Sequence, residues 1–398
     1  MNIRALWIAV IAAAALFVVA GCGDSGSSSS TNGSVKPGTD VKPLAKLGAG
    51  EGQLNIIAWA GYAEDGSTDP KVDWVTPFEK QTGCQVNVKI GNTSDEMVTL
   101  MRTGRYDGVS ASGDATLRLI AADQVAPVNT DLVPNYADVY DYLKDKPWNS
   151  VDGQMYGIPH GWGANILMWN TDVVKEDLDS WGAVFDANSP YAGKITAYDS
   201  PIYIADAALY LSKTQPDLGI KNPFALTQDQ LDASVALLKQ QKSQLSEYWS
   251  LYTDEQAAFD NGTSVVGTTW QVITNLVEAD GGKVKAVVPK EGSTGWSDTW
   301  MISSKAKHPN CMYMWMNYII SPKVNAEVAE WFGEAPANAK ACAETANADH
   351  CKIFHADDLE YAEAIHYWTT PTKKCLDGSG DNCTDYQEWT KAWDEVKA

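Results

Sequence analysis

Trp59 and Tyr62 close an apolar run that begins at Leu54, and Asp298 stands between Ser297 and Thr299 in a second aromatic-rich run. An open α/β sheet binds ligands beyond the C-terminal ends of its strands, which is where Trp59 and Tyr62 would fall. An aromatic face attracts an ammonium group within about 6 Å of the ring, by about 0.5–2 kcal/mol. For Asp298, in its polar bracket, a structural cap is the plain reading. This chemistry is binding. Turnover would need paired carboxylates, or a nucleophile with a base. The nearest candidates are Asp298 with Asp199 or Asp114, and no spacing shows that these converge. A P-loop, a G-x-G-x-x-G after a strand, an H-E-x-x-H and a G-x-S-x-G are all absent, so no enzyme is expected. No C-x₂-C spacing occurs and the five histidines form no close pair, so neither a metal nor a cofactor is expected. Most of the 16 tryptophans must serve packing, and only a few can face a ligand.

The elements that would hold these residues alternate in type. A strand over 54–59 is followed by a Gly- and Asp-rich loop. A helical stretch starts from Asp69-Pro70, is interrupted by Pro77, and ends at Gly83. Val86–Ile90 alternates as a second strand. A helix over about 94–103 stops at Gly104, and a short strand follows over 106–111. This β-α-β-α-β order predicts an α/β fold with a parallel sheet and helices on both faces. Further strands are expected over 156–159, 165–170, 194–198, 264–268, 284–289 and 296–302. A helix begins at Thr227, with Gln230 completing a capping box, and another spans about 254–261.

The N-terminus reads as an export signal: Arg4, an apolar run from Ala5 to Ala20, then Val19-Ala20-Gly21-Cys22. The run is short for a membrane span, which takes about 20 apolar residues. Small residues before a cysteine resemble the lipobox of bacterial lipoproteins. That resemblance implies removal of 1–21, diacylation of Cys22, and residence on the outer face of the cytoplasmic membrane. The stretch 22–52 is rich in Gly, Ser and Pro and reads as a flexible linker. Net charge is −21, or −22 once Arg4 leaves with the signal. This argues against nucleic acid or an anionic lipid surface as partner and mildly favours a cationic ligand. Six cysteines remain beyond Cys22: Cys84, Cys311, Cys342, Cys351, Cys375 and Cys383. Outside the cytoplasm an even number suggests three disulfides, with 15 possible pairings. Short polar stretches favour Cys342–Cys351 and Cys375–Cys383, which leaves Cys84–Cys311.

An ordered set of short segments then resembles the polyamine-binding proteins of bacterial ABC importers, with the type II periplasmic-binding fold. The segments are Trp59-Ala60-Gly61-Tyr62, Tyr106-Asp107-Gly108-Val109-Ser110-Ala111-Ser112, Gly193-Lys194-Ile195-Thr196 with Tyr198-Asp199-Ser200, Gly267-Thr268-Thr269-Trp270, and Pro289-Lys290-Glu291-Gly292 with Trp296-Ser297-Asp298. The resemblance implies two α/β domains around a ligand cleft, 54–162 plus 295–355 and 163–294. A C-terminal segment, 356–398, would pack on that body. It implies aromatic contacts from Trp59, Tyr62, Trp270 and Trp296, an amine-pairing role for Asp298, and a hydrogen bond from Ser112. The implied partners are a small amine, a membrane permease and its ATPase on other chains, with the receptor itself a monomer.

The pattern also departs from that family. Two expected carboxylates after the middle strand become Ser200 and Tyr203, with Asp199 just before them. A further aromatic becomes Asp114. Either Asp114 or Asp206 replaces the lost acids, or the ligand carries fewer charges than spermidine. Putrescine, spermidine, a monoamine and a neutral solute such as a sugar all remain open at this level, with a surface hydrolase as the third class.

Overall fold

The computed structural model describes residues 41–398. The signal segment 1–21 and Cys22 lie outside the described residues. The linker expected over 22–52 is shorter than its composition suggests. Val41, Leu44 and Leu47 recur every third residue and pack against the core. Glu51 accepts from the backbone N–H groups of Asn310 and Cys311, at 3.0 Å each. Among the described residues no helix is long and apolar enough to cross a membrane.

Among the described residues fourteen strands form the framework: β1 (Gln53–Ala58), β2 (Gln85–Ile90), β3 (Gly108–Ala111), β4 (Ser150–Val151), β5 (Gln154–Met155), β6 (Gly157–Ala164), β7 (Ile166–Asn170), β8 (Ile195–Tyr198), β9 (Leu245–Trp249), β10 (Val266–Thr269), β11 (Val284–Val287), β12 (Ser293–Ile302), β13 (Ala335–Pro336) and β14 (Ile365–Tyr367). A seven-stranded mixed sheet runs β13-β6-β12-β3-β1-β2, with β14 added to β12. A five-stranded sheet runs β11-β7-β10-β8-β9, and β4 pairs with β5. The β1–β2 and β1–β3 pairs are parallel, as the opening alternation of elements predicts. β12 lies antiparallel between β3 and β6, so the sheet is mixed.

Local chemistry sets the helix ends. The first helix spans Val75–Thr82, later than Asp69-Pro70 suggested. Pro77 sits in its first turn, where a missing N–H costs nothing. Gly83 ends it in the left-handed region, φ 73°, open to glycine without strain. Thr93 caps the helix Ser94–Arg102 by accepting from the Glu96 N–H. The Thr227/Gln230 capping box starts Gln228–Lys242.

The chain crosses between the sheets at Asn165, between β6 and β7, and again ahead of β12. The C-terminal segment adds a third connection. β14 pairs with β12, and the helix Tyr386–Lys397 packs beside Gln228–Lys242 next to the five-stranded sheet. The cysteines pair as their spacing favoured: Cys84–Cys311, Cys342–Cys351 and Cys375–Cys383.

Candidate ligand-binding site

The site is built on one face of β12 and its partner β6. Side chains alternate along a strand, so Thr294, Trp296 and Asp298 share a face. Register places Trp296 opposite Gly163 and Asp298 opposite Gly161. Both glycines are needed for close approach. A Cβ on Gly163 would fall 2.8 Å from the Trp296 ring, and one on Gly161 would fall 1.9 Å from the Glu334 carboxyl. The missing side chains therefore make room for an indole and a carboxyl over the sheet.

Tyr62, just beyond β1, reaches across to these acids. Its hydroxyl lies 2.6 Å from Asp298 Oδ2 and 2.8 Å from Glu334 Oε2. Ser112, at the end of β3, donates to Asp298 Oδ1 at 2.5 Å. A hydroxyl carries one proton and can donate to only one of the two carboxylates. Both contacts hold together when the other carboxyl is protonated and donates to the phenol. Burial supplies the reason for such a proton: Asp298 is 3% and Glu334 0% exposed. Desolvation, then the Ser112 and Tyr62 contacts acting against it, leave the Asp298 carboxyl raised to about 6. Desolvation and the charge of Asp298 push Glu334 well above the usual range. His160 provides no cation. Burial lowers it to about 3, and Nε2 bonds Ser110 Oγ at 2.9 Å. Its Nδ1 stands 3.9 Å from Glu334 Oε1, beyond hydrogen-bond reach. Among the described residues no lysine or arginine pairs with Asp298 or Glu334.

Aromatic rings enclose the rest. Phe332 stacks on Tyr62, centroids 4.0 Å apart. Trp270 follows β10 and meets Trp296 edge-on at 6.0 Å. The Trp270 indole N–H donates to Asn165 Oδ1 at 2.9 Å. Tyr198 lies 5.3 Å from Trp270 and stacks on Trp368 at 5.7 Å. A narrow slot of only about 20 Å³ is lined by Gly163, Trp270, Trp296 and Glu334, among others. A more open depression lined by Trp169, Lys175 and Glu176 lies apart from every one of these residues, and we give it no part in the site.

Tyr62, Ser112, Trp270, Trp296 and Asp298 thus share one cluster. Trp59 is half-buried at the end of β1, its ring against the core. Asp114 is buried and accepts from Ser94 Oγ at 2.9 Å. Desolvation raises it to about 6, against the pull of Arg118. Asp199 and Tyr203 belong elsewhere. Asp199 takes Lys397 Nζ at 2.7 Å and the Trp393 indole N–H at 3.0 Å, both from the C-terminal helix. Tyr203 packs on Phe185, with its hydroxyl accepting from Gln241 at 2.9 Å. Glu334, Phe332, Trp368 and Asn165 escaped sequence reasoning. Glu334 precedes a two-residue strand, too short for any periodic signal.

A family model described as bacterial extracellular solute-binding protein matches residues 73–353. Among curated relatives, spermidine/putrescine-binding periplasmic protein 1 of Haemophilus influenzae is 24% identical over 292 residues, 72% of this chain and 75% of that one. The putrescine/agmatine-binding protein of Pseudomonas aeruginosa is 24% identical over 282 residues, 66% and 75% of the two chains. Among solved structures, a putative spermidine/putrescine ABC transporter protein from Listeria monocytogenes superposes with a TM-score of 0.70 at 19% identity, covering 87% of this chain and 99% of that one. The last likeness fixes the fold as that of the periplasmic-binding proteins.

Proposed function

Because this chain belongs to the bacterial extracellular solute-binding proteins, we propose that it is the capture component of an ABC importer and that its solute is a small organic cation, a di- or polyamine such as putrescine or spermidine. One observation carries the choice of cation. The Tyr62 hydroxyl bridges two buried carboxyls, Asp298 and Glu334, and among the described residues no lysine or arginine pairs with them. An ammonium group brings three donors and a positive charge to a place short of both. It would displace the shared proton and turn the desolvated carboxyls into a charge-assisted pair. Trp270, Trp296, Phe332 and Tyr198 would then hold the alkyl chain, with cation–π attraction added at the rings. The names carried by the curated relatives support the same ligand class.

In this reading 54–162 plus 295–355 and 163–294 act as two domains that close on the solute, which contacts both. The segment 356–398 braces them. Cys22 anchors the receptor by lipid to the outer face of the membrane, as a monomer, and the permease and ATPase are other chains. Calorimetry on ligand-free protein tests the ligand. Binding to putrescine or spermidine that weakens with added salt is expected. Absence of binding to both would remove the polyamine assignment, and unchanged binding in an Asp298→Asn variant would remove the site.

A further inference from the structure

Glu334 belongs to no long element. It follows Gly333, which ends the helix Pro322–Phe332 in the left-handed region at φ 85°, and it precedes the two-residue β13. Its backbone N–H donates to the Ala329 carbonyl at 3.1 Å. Its own carbonyl accepts from His350 Nε2 at 2.8 Å. His350 is buried, and desolvation holds its ring below the usual histidine range. A neutral imidazole has one N–H, and a carbonyl can only accept, so the ring carries its proton on Nε2.

A short loop presents that histidine. His350 opens the helix His350–Ile353, beside Cys351, and the disulfide Cys342–Cys351 closes the nine positions before it. The same loop is pinned a second time. Glu330, in the last turn of Pro322–Phe332, accepts from the backbone N–H groups of Ala346 at 2.9 Å and Asn347 at 2.6 Å. The loop therefore grips the chain at Glu330 and again at Glu334. Between these grips lies Phe332, whose ring stacks on Tyr62, and the second grip holds the acid that Tyr62 bridges to Asp298. On its other side the His350 ring lies 4.5 Å from Phe354, which lines the slot together with Glu334 and Trp296.

Resting on the amine reading above, we propose that His350 is a positioning residue for ligand capture: carried on the disulfide-closed loop 342–351, it holds the Glu334 main chain so that the carboxyl meets Tyr62 and the incoming ammonium group. The tolerance is small. The Tyr62–Glu334 contact is 2.8 Å, and a shift of about 0.5 Å would take it past the roughly 2.5–3.0 Å range of an O–H···O bond. The ladder gives little help, since β13 offers only Ala335 and Pro336 to β6. His350 acts by position and not by charge. Its neutral ring adds no positive charge that would compete with the ligand for the two acids. The disulfide serves the same end by shortening the loop's excursions, so His350 stays within reach of the Glu334 carbonyl.

The test compares His350→Leu with His350→Gln in the full protein, freed of ligand and titrated with spermidine near pH 6 in two buffers of different ionisation enthalpy. Leucine removes the donor, whereas glutamine can return an amide N–H to the Glu334 carbonyl. In His350→Leu affinity should fall about tenfold, in keeping with one lost hydrogen bond, and the protons released on binding should drop to about half or less. In His350→Gln both should return to within about threefold of the wild type. The Cys342→Ser/Cys351→Ser pair should weaken binding in the same direction, by about threefold or more. A His350→Leu protein that melts earlier yet binds spermidine and releases protons as the wild type does would make the residue merely structural and overturn the proposal. Equal losses in the leucine and glutamine variants would overturn it too, and either result would leave the amine reading intact. Failure of the wild type to bind putrescine or spermidine would instead overturn the amine reading and the positioning role with it. Should His350→Leu not fold, as circular dichroism would show, the cysteine pair decides, and spermidine affinity and proton release unchanged in it would overturn the proposal.

Discussion

Gly161 faces the carboxyl of Glu334 so closely that a Cβ there would lie 1.9 Å from Glu334 Cδ and about as near to both of its oxygens. The glycine is thus the floor on which the acid rests. Gly161→Ala must move Glu334 away from Tyr62 and split the bridge to Asp298. Overpacking of this kind costs about 1–3 kcal/mol. A lower melting temperature and at least about tenfold weaker spermidine binding are expected, read by calorimetry beside a thermal melt.

The buried acids also set a pH dependence. Desolvation holds the folded Asp298 near 6 and Asp206 near 7, both above the ordinary aspartate value of 3.8. Between pH 4 and 7 the folded, ligand-free chain therefore keeps protons that the unfolded chain has released. Stability falls as pH rises wherever the folded state binds more protons. These two groups contribute a loss of stability from pH 4 to 7, and Asp298→Asn with Asp206→Asn should flatten that slope. Thermal melts across this range, without ligand, check it, and an unchanged slope in the double variant would contradict it.

Asp199 offers a contrast. It is held by Lys397 and by the Trp393 indole, and its side chain remains partly exposed. Partly exposed ion pairs contribute about 0–1 kcal/mol. Lys397→Met should lower stability by no more than that, and spermidine affinity should stay within about twofold. A large loss of affinity would place the C-terminal helix in the ligand site itself.

The disulfides separate by loop length. Cys84–Cys311 spans 227 residues of sequence and Cys342–Cys351 only 9. Chain-entropy reasoning gives about 5.5 kcal/mol for the long loop and about 2.5 for the short one. Paired Cys→Ser variants, compared by denaturant titration, should show the larger loss for Cys84/Cys311.

Much of this was legible in sequence where a short periodic signal existed. The strands 86–90 and 296–302 alternate, Thr227 with Gln230 spells out its cap, and the cysteine spacing singled out the two local pairs. The helix Ile204–Thr214 left no such mark. Its first eight residues are all buried, so it has no polar stripe, and Tyr203 at its N-cap makes no side-chain cap bond. Tyr62, set by a strand end, could be singled out on that ground, and Ser112 by the family resemblance alone. Those set by distant packing could not. Nothing near Asp199 announces that a lysine 198 positions later will take its charge. Nothing near Glu334 announces a tyrosine 272 positions earlier.

The most direct test of the central claim is titration of ligand-free protein with spermidine in two buffers of different ionisation enthalpy. The bridge formed by Tyr62 between Asp298 and Glu334 predicts binding accompanied by proton release near pH 6, with both lost in Asp298→Asn/Glu334→Gln. Spermidine binding with no proton release, or binding undiminished in that double variant, would contradict it.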